Sequence, residues 1–153
     1  MNALIERYSQ GPALLRAAVA GMTQEQLTAR PVPGKWSTLE VVAHLADFEP
    51  VLADRIRRVA AMPKPLLLAA DENLYSEHLS YQDRDLEAEL KLIEGVRGAT
   101  AVMLAKLPAE AFARQGIHNE KGLVTLESIL TGAGNHIYNH LVFIHDKRKA
   151  LGI

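Results

Sequence analysis

The sequence predicts an all-α protein, a four-helix bundle in up-down-down-up order with long connecting loops. Three observations carry this. Four long stretches space their apolar residues three and four apart, and almost nothing alternates with the period of a strand. Helix-start signals stand at the head of several stretches. The depths of three histidines along their helices also constrain the order in which the helices run.

The first helix spans about Asn2 to Ala20, with Leu4, Ile5, Tyr8, Leu15 and Val19 on its apolar face. Gly11-Pro12 falls inside it and predicts a kink, because proline has no amide proton and clashes with the preceding turn. Thr23 and Gln26 stand at capping-box spacing ahead of a short helical turn, and Arg30 to Gly34, with two prolines, reads as loop. Ser37 and Glu40 form a second capping box that opens the second helix, whose face reads Val41, Leu45, Phe48, Leu52, Ile56, Val59. Pro50 lies in that run and predicts a bend.

Residues 61–82 hold Pro63, Pro65, an apolar patch and a polar stretch, Asp71 to His78, suited to a short helix. The third helix runs from about Asp83 to Leu107 on Leu86, Leu90, Ile93, Arg97, Thr100, Leu104 and Leu107. Arg97 on that line reads either as a fork for an anionic substrate or, preferably, as a side chain that snorkels out of the core. Residues 108–124 form a second long connection, with turn points at Gly116 and Gly122. Thr125 caps the fourth helix, which runs to about Ala150. Loops of this length commonly line a pocket.

His44 lies six residues past Thr38, whereas His136 and His140 lie eleven and fifteen past Thr125. Parallel helices starting level would separate these depths by roughly 7 to 13 Å; antiparallel ones bring them near one layer. The 22-residue connection before the third helix can stretch to roughly 70 Å. That exceeds a helix length of roughly 37 Å, so the second and third helices can run parallel.

At 153 residues, 48% hydrophobic and 23% charged, the chain reads as one soluble domain, residues 1–153. A net charge of −1 gives no field for nucleic acid or an anionic membrane. The cations of Arg55–Arg58 and Lys147–Lys149 read as helix-terminal charges. With no cysteine there is no disulfide, thiolate zinc site or protein thiol nucleophile. The longest apolar run, Leu66 to Ala70, is too short to span a bilayer, and the amino terminus lacks a signal-peptide pattern. A cytoplasmic protein is the expectation.

His136 and His140, spaced i, i+4, project from one helix face beside Ala133, Ile137 and Leu141; His44 borders its own helix's apolar line. Buried neutral imidazoles need partners, and two readings supply them: ordinary core hydrogen bonds, or a shared divalent ion. Three imidazoles suit zinc with a fourth position open to water; nickel and iron also suit them. No His-Glu-x-x-His or Glu-x-x-His occurs, which excludes zincin and ferritin-like patterns. Asp47, one turn from His44, reads as a partner for a ligand imidazole, as a proton acceptor for bound water, or as a solvated surface acid. His78 and His118 read as solvated, with His118 alternatively a lid residue, and His145 as a helix-terminal cation.

The segment Pro31-Val32-Pro33-Gly34-Lys35-Trp36-Ser37-Thr38-Leu39-Glu40 through His44-Leu45 resembles the DinB-like (DinB/YfiT) metalloenzyme superfamily. The run Gly122-Leu123-Val124-Thr125-Leu126 through His136-Ile137-Tyr138-Asn139-His140 is similar to that family's second motif. The resemblance implies His44, His136 and His140 as metal ligands, the same bundle order, and often a homodimer. It implies a small-molecule substrate, since relatives include S-transferases and isomerases that use the low-molecular-weight thiols bacillithiol or mycothiol. Others carry only a provisional label as metal-dependent hydrolases. The expectation is a divalent-metal enzyme for thiol S-transfer or hydrolysis. The alternatives are a non-catalytic metal-binding or stress-response bundle, or a plain dimerising module.

Overall fold

A computed structural model describes residues 2–153. In chain order the helices are α1 (Asn2–Val19), α2 (Gln24–Thr28), α3 (Thr38–Ala61), α4 (Glu72–His78), α5 (Leu86–Leu104) and α6 (Leu126–Leu151). The strands are β1 (Leu66–Leu67), β2 (Gln115–His118) and β3 (Gly122–Thr125), and 3-10 turns cover Tyr81–Asp83 and Ala109–Ala113. Among the described residues no helix is long and apolar enough to cross a membrane.

Local chemistry sets the helix starts. Both capping boxes form: Thr23 with Gln26, and Ser37 with Glu40. Asp71, Asp85 and Thr125 cap α4, α5 and α6 through side-chain acceptors, and Thr125 adds a reciprocal bond with Ser128. α5 therefore starts at Leu86, three residues later than Asp83. Gly152, at φ 72°, ends α6 in the left-handed conformation that glycine adopts without strain. α1 and α3 continue past Pro12 and Pro50 as single helices.

The four long helices run up, down, down, up. Arg16, late in α1, pairs with Glu87 and Glu94, early in α5, so these two are antiparallel. Arg7 meets Asn135 and Arg148 meets Ala18, so α1 and α6 are parallel. Early α3 (Leu39, Val42, Leu45) packs with late α6 (Ile137, Ile144) and early α5 (Leu90, Ile93). Late α3 (Ile56, Val59) packs with early α6 (Leu126, Leu130) and with Leu104 of α5. α3 is thus antiparallel to α6 and parallel to α5.

The expectation of almost no strand is corrected by a small sheet built from the two long connections. β1 lies parallel to β2, and β2 antiparallel to β3, in the order β1-β2-β3. Strands of two to four residues are too short to display a period of two, so the pattern escapes the sequence. Gly116 allows the close approach, since a Cβ there would lie 2.8 Å from a Val59 methyl and 3.0 Å from a Leu67 methyl.

Arg97 neither snorkels nor waits for an anion. It is fully buried and links all four long helices between the two apolar clusters. Nε donates to Glu49 of α3 at 2.7 Å, Nη1 to the Tyr8 carbonyl of α1 at 2.9 Å, and Nη2 to the Ala133 carbonyl of α6 at 2.8 Å. The Tyr8 hydroxyl donates to the same Glu49 carboxylate at 2.6 Å.

Candidate metal centre

α3 carries His44 about two turns beyond its cap, and α6 carries His136 and His140 one turn apart. Because α3 and α6 are antiparallel, all three rings reach one layer. Ring centroids are separated by 5.1 Å (His44–His136), 4.8 Å (His44–His140) and 4.9 Å (His136–His140). One nitrogen from each ring lies within 4.8 Å of the other two. The Nε2 atoms of His44 and His136 stand 3.1 Å apart. Two nitrogens on a tetrahedral zinc ion with bonds of 2.0–2.1 Å are separated by about 3.3 Å.

Aromatic rings enclose the trio. Trp36 and Phe48 lie 5.2 and 4.6 Å from His44, and Phe143 lies 5.6 Å from His140. Burial among them disfavours the imidazolium form. It drives His44 down to about 4, His136 to about 3 and His140 to about 4, with mutual repulsion of the rings adding to the burial at His44 and His136. All three are neutral near pH 7, with lone pairs available. Among the described residues their Nδ1 atoms are buried without a hydrogen-bond partner, while the Nε2 atoms of His44 and His136 face each other. A neutral three-imidazole donor set that converges within 4.8 Å fits a divalent transition ion.

A cavity of about 350 Å³ opens on the His140 side, within the range of small-molecule sites. Trp36, Val41 and Phe143 supply its apolar wall, and Glu72, Asp146, Lys35 and Lys147 its charges. Trp36 and Val41 stand at the N′ and N4 positions around the Ser37 cap, the arrangement of a hydrophobic staple, so the entry of α3 also builds the pocket. Lys147 is buried and donates to the Phe143 carbonyl at 3.1 Å; burial lowers its pKa below the usual ammonium range. Glu72, in the first turn of α4, brings Oε2 to 4.0 Å from His44 Nε2. Sequence reasoning missed Glu72, because the approach crosses a connection with no local signal.

The structure brings His44, His136 and His140 together and gives Asp47 other company. Both Asp47 oxygens accept from Arg84 Nη2, at 3.0 and 3.2 Å, and Arg84 also pairs with Glu89. Asp47 makes no hydrogen bond to His44. His118, expected to be solvated, is buried on β2, while His78 and His145 are exposed. The connections 61–82 and 108–124 do line pockets, through Glu72 on one side of the trio and Ala69 and His118 on the other.

The profile of the DinB superfamily matches residues 7–144. YfiT of Bacillus subtilis, provisionally named a metal-dependent hydrolase, is 28% identical over 97% of this chain and 84% of its own length. A protein of Geobacillus thermodenitrificans with the same provisional name is 30% identical over 92% of this chain and 80% of its own length. The solved structure of Bacillus subtilis YfiT, described as having an unusual four-helix-bundle topology, matches with a TM-score of 0.92 and 28% identity. That match covers 99% of this chain and 87% of YfiT. A mycothiol-dependent maleylpyruvate isomerase shares the fold at a TM-score of 0.72 and 13% identity, over 92% of this chain and 59% of its own.

Proposed function

The chain belongs to the DinB superfamily, and from that premise we propose that it is a divalent-metal-dependent enzyme acting on a small molecule, with hydrolysis as its reaction. The observation that carries the reading is the convergence of His44, His136 and His140, as neutral imidazoles, on one point at the edge of a cavity. The provisional names of two relatives aligned along nearly the whole chain support hydrolysis.

The three histidines are the proposed ligands and zinc the proposed ion, with nickel and iron also suited to imidazole. When bound, such an ion acts as a Lewis acid that acidifies a water or thiol and polarises a carbonyl or phosphoryl oxygen. The chain's own residues supply the rest. Trp36 and Phe48 beside His44, and Phe143 beside His140, lower the polarity around the imidazoles and so strengthen electrostatic contacts there. Glu72 Oε2, near His44 Nε2 and at the cavity wall, accepts the proton that the nucleophile loses. Lys35 and Lys147 orient substrate oxygens on the far wall. Asp47 is a positioning residue, holding Arg84 against the turn of α3 that carries His44.

Thiol S-transfer is the second reading. It is favoured by the complete absence of cysteine, so that a thiol nucleophile must arrive as a substrate and no internal thiol competes for the ion. A homodimer, as the family resemblance implies, completes the proposal.

The test is metal content by mass spectrometry on the untagged chain, beside a folded His44→Ala/His136→Ala/His140→Ala variant, followed by ester, amide and thiol-transfer assays on the loaded protein. One divalent ion per chain, lost in the variant together with hydrolytic turnover, is the expected result. No ion after reconstitution with zinc, nickel or iron would end the metalloenzyme reading. An ion without turnover would leave a non-catalytic metal-binding bundle.

A further inference from the structure

The histidine centre has a second open side. Behind His136, away from the Glu72 cavity, lies a pocket of about 270 Å³ formed by α3, the 69–70 segment and the β2–β3 hairpin. One wall is apolar, made by Phe48, Leu52 and Ala69. The other carries Arg55, His118 and Lys121, against a single acid, the exposed Glu120.

Arg55 is held in place but incompletely satisfied. Its Nη2 donates to the Leu68 carbonyl at 2.5 Å, which fixes the plane of the guanidinium. Its Nε is buried and has no partner, and the guanidinium makes no ion pair within 4.0 Å among the described residues. A buried guanidinium nitrogen without an acceptor is costly, and a planar or tetrahedral oxyanion is the group its fork matches. Burial weakens its hold on the proton, and the neighbouring Asp54 and Glu120 carboxylates offset that only in part.

His118 adds a directed donor. It is 6% exposed, and its Nδ1 accepts the Glu120 amide at 3.2 Å, so the neutral ring carries its proton on Nε2. The sheet fixes this geometry, since His118 pairs in register with Leu67 of β1, and Asn119 Oδ1 accepts the Ala69 amide at 2.8 Å. Lys121 follows on the hairpin turn.

We propose that this pocket is an oxyanion subsite: the molecule acted on at the histidine centre carries a carboxylate or a phosphate, bound by the Arg55 guanidinium and His118 Nε2–H, with the remainder lying beside His136. The assignment of that anion to a substrate rests on the proposed metal-dependent function. Anion binding by Arg55 and His118 does not.

The test titrates inorganic phosphate, and separately acetate, into the whole chain, metal-free and zinc-loaded, with metal content measured on each sample. Calorimetry gives the affinity, and NMR shifts of the Arg55 Nε–H and the His118 ring give the location. Saturable binding of at least one anion is expected in both states, weakened about tenfold or more in Arg55→Gln and in His118→Gln. Arg55→Lys should recover part of it. Two variants guard against one that fails to fold. Preference for phosphate or for acetate identifies the oxyanion. Affinity unchanged in both variants, or binding only in the zinc-loaded state, would overturn the subsite. A chain that holds no zinc yet binds through Arg55 keeps the subsite and removes the metalloenzyme reading.

Discussion

Arg97 Nη1 donates at 2.9 Å to the Tyr8 carbonyl, the oxygen that Pro12, without an amide proton, leaves unpaired four residues on. Gly11 makes room for it, since a Cβ there would lie 2.7 Å from Nη1. A side chain of α5 therefore repairs the hydrogen-bond ladder of α1, and the helix passes its proline unbroken. With Glu49 and the Ala133 carbonyl, the same guanidinium fixes the spacing of the helices that carry the histidines.

The first prediction concerns that link. Both side chains of the Arg97–Glu49 pair are 1% exposed, so removing one partner strands a buried charge. Arg97→Met and Glu49→Met should each cost about 3–5 kcal/mol in urea unfolding. The Arg97→Met/Glu49→Met double variant should lose clearly less than the sum. Additive losses would mean that the two groups are not energetically paired.

Acid should unfold the metal-free chain along a defined course. His44, His136 and His140 fall from 6.5 to about 4, 3 and 4 on folding, so below pH 6.5 the unfolded chain takes up protons that the folded chain refuses. Their contribution is complete above pH 6.5 and is lost as the pH falls to about 4 for His44 and His140 and to about 3 for His136, with each group adding up to about 1.4 kcal/mol per pH unit. Unfolding free energies measured from neutral to acid pH should fall more steeply for the native chain than for the triple His→Ala variant. Equal slopes would mean that the rings are not desolvated.

How much of this could be read beforehand depended on distance along the chain. The Ser37–Glu40 box is local and appeared where expected, as did the i, i+4 pair His136 and His140. The antiparallel match of α3 and α6 followed from counting rise per residue to His44. Arg97 was misread because its three acceptors lie 36, 48 and 89 residues away, and nothing in its own helix announces them. Glu72 approaches His44 from a connection, and His118 is buried by a sheet whose strands are too short to leave a periodic trace.

Two glycine substitutions should move stability in opposite directions. Gly116→Ala would press a Cβ against Val59, Leu67 and the Pro65 carbonyl at 2.8–3.2 Å. Val59 and Leu67 are buried and have nowhere to swing, so a loss of about 1–3 kcal/mol is expected. Gly98 lies on an exposed face of α5 with nothing within 4 Å of the added carbon. Gly98→Ala should stabilise by about 0.5–1 kcal/mol through helix propensity. Chemical denaturation of both variants checks the pair, and a neutral Gly116→Ala would deny the tight seating of β2.

The carboxylates near the centre separate by their partners. Arg84 Nη2 bridges both oxygens of Asp47, whereas Glu72 is 58% exposed, lines the cavity, and brings Oε2 to 4.0 Å from His44 Nε2. A group that accepts a proton during turnover must face the site; Glu72 lines the cavity, whereas Asp47 is turned to Arg84. Glu72→Gln should lower kcat about 10²–10⁴-fold at unchanged metal content, because the amide keeps the shape and loses the base. Asp47→Asn should change kcat only a few-fold and show its effect in thermal stability instead, since it weakens the Arg84 contact that braces α3. Steady-state kinetics and metal analysis on the same preparations decide between them. If Asp47→Asn proved the more damaging to kcat at full metal occupancy, the proton acceptor would be Asp47, released from Arg84 during turnover.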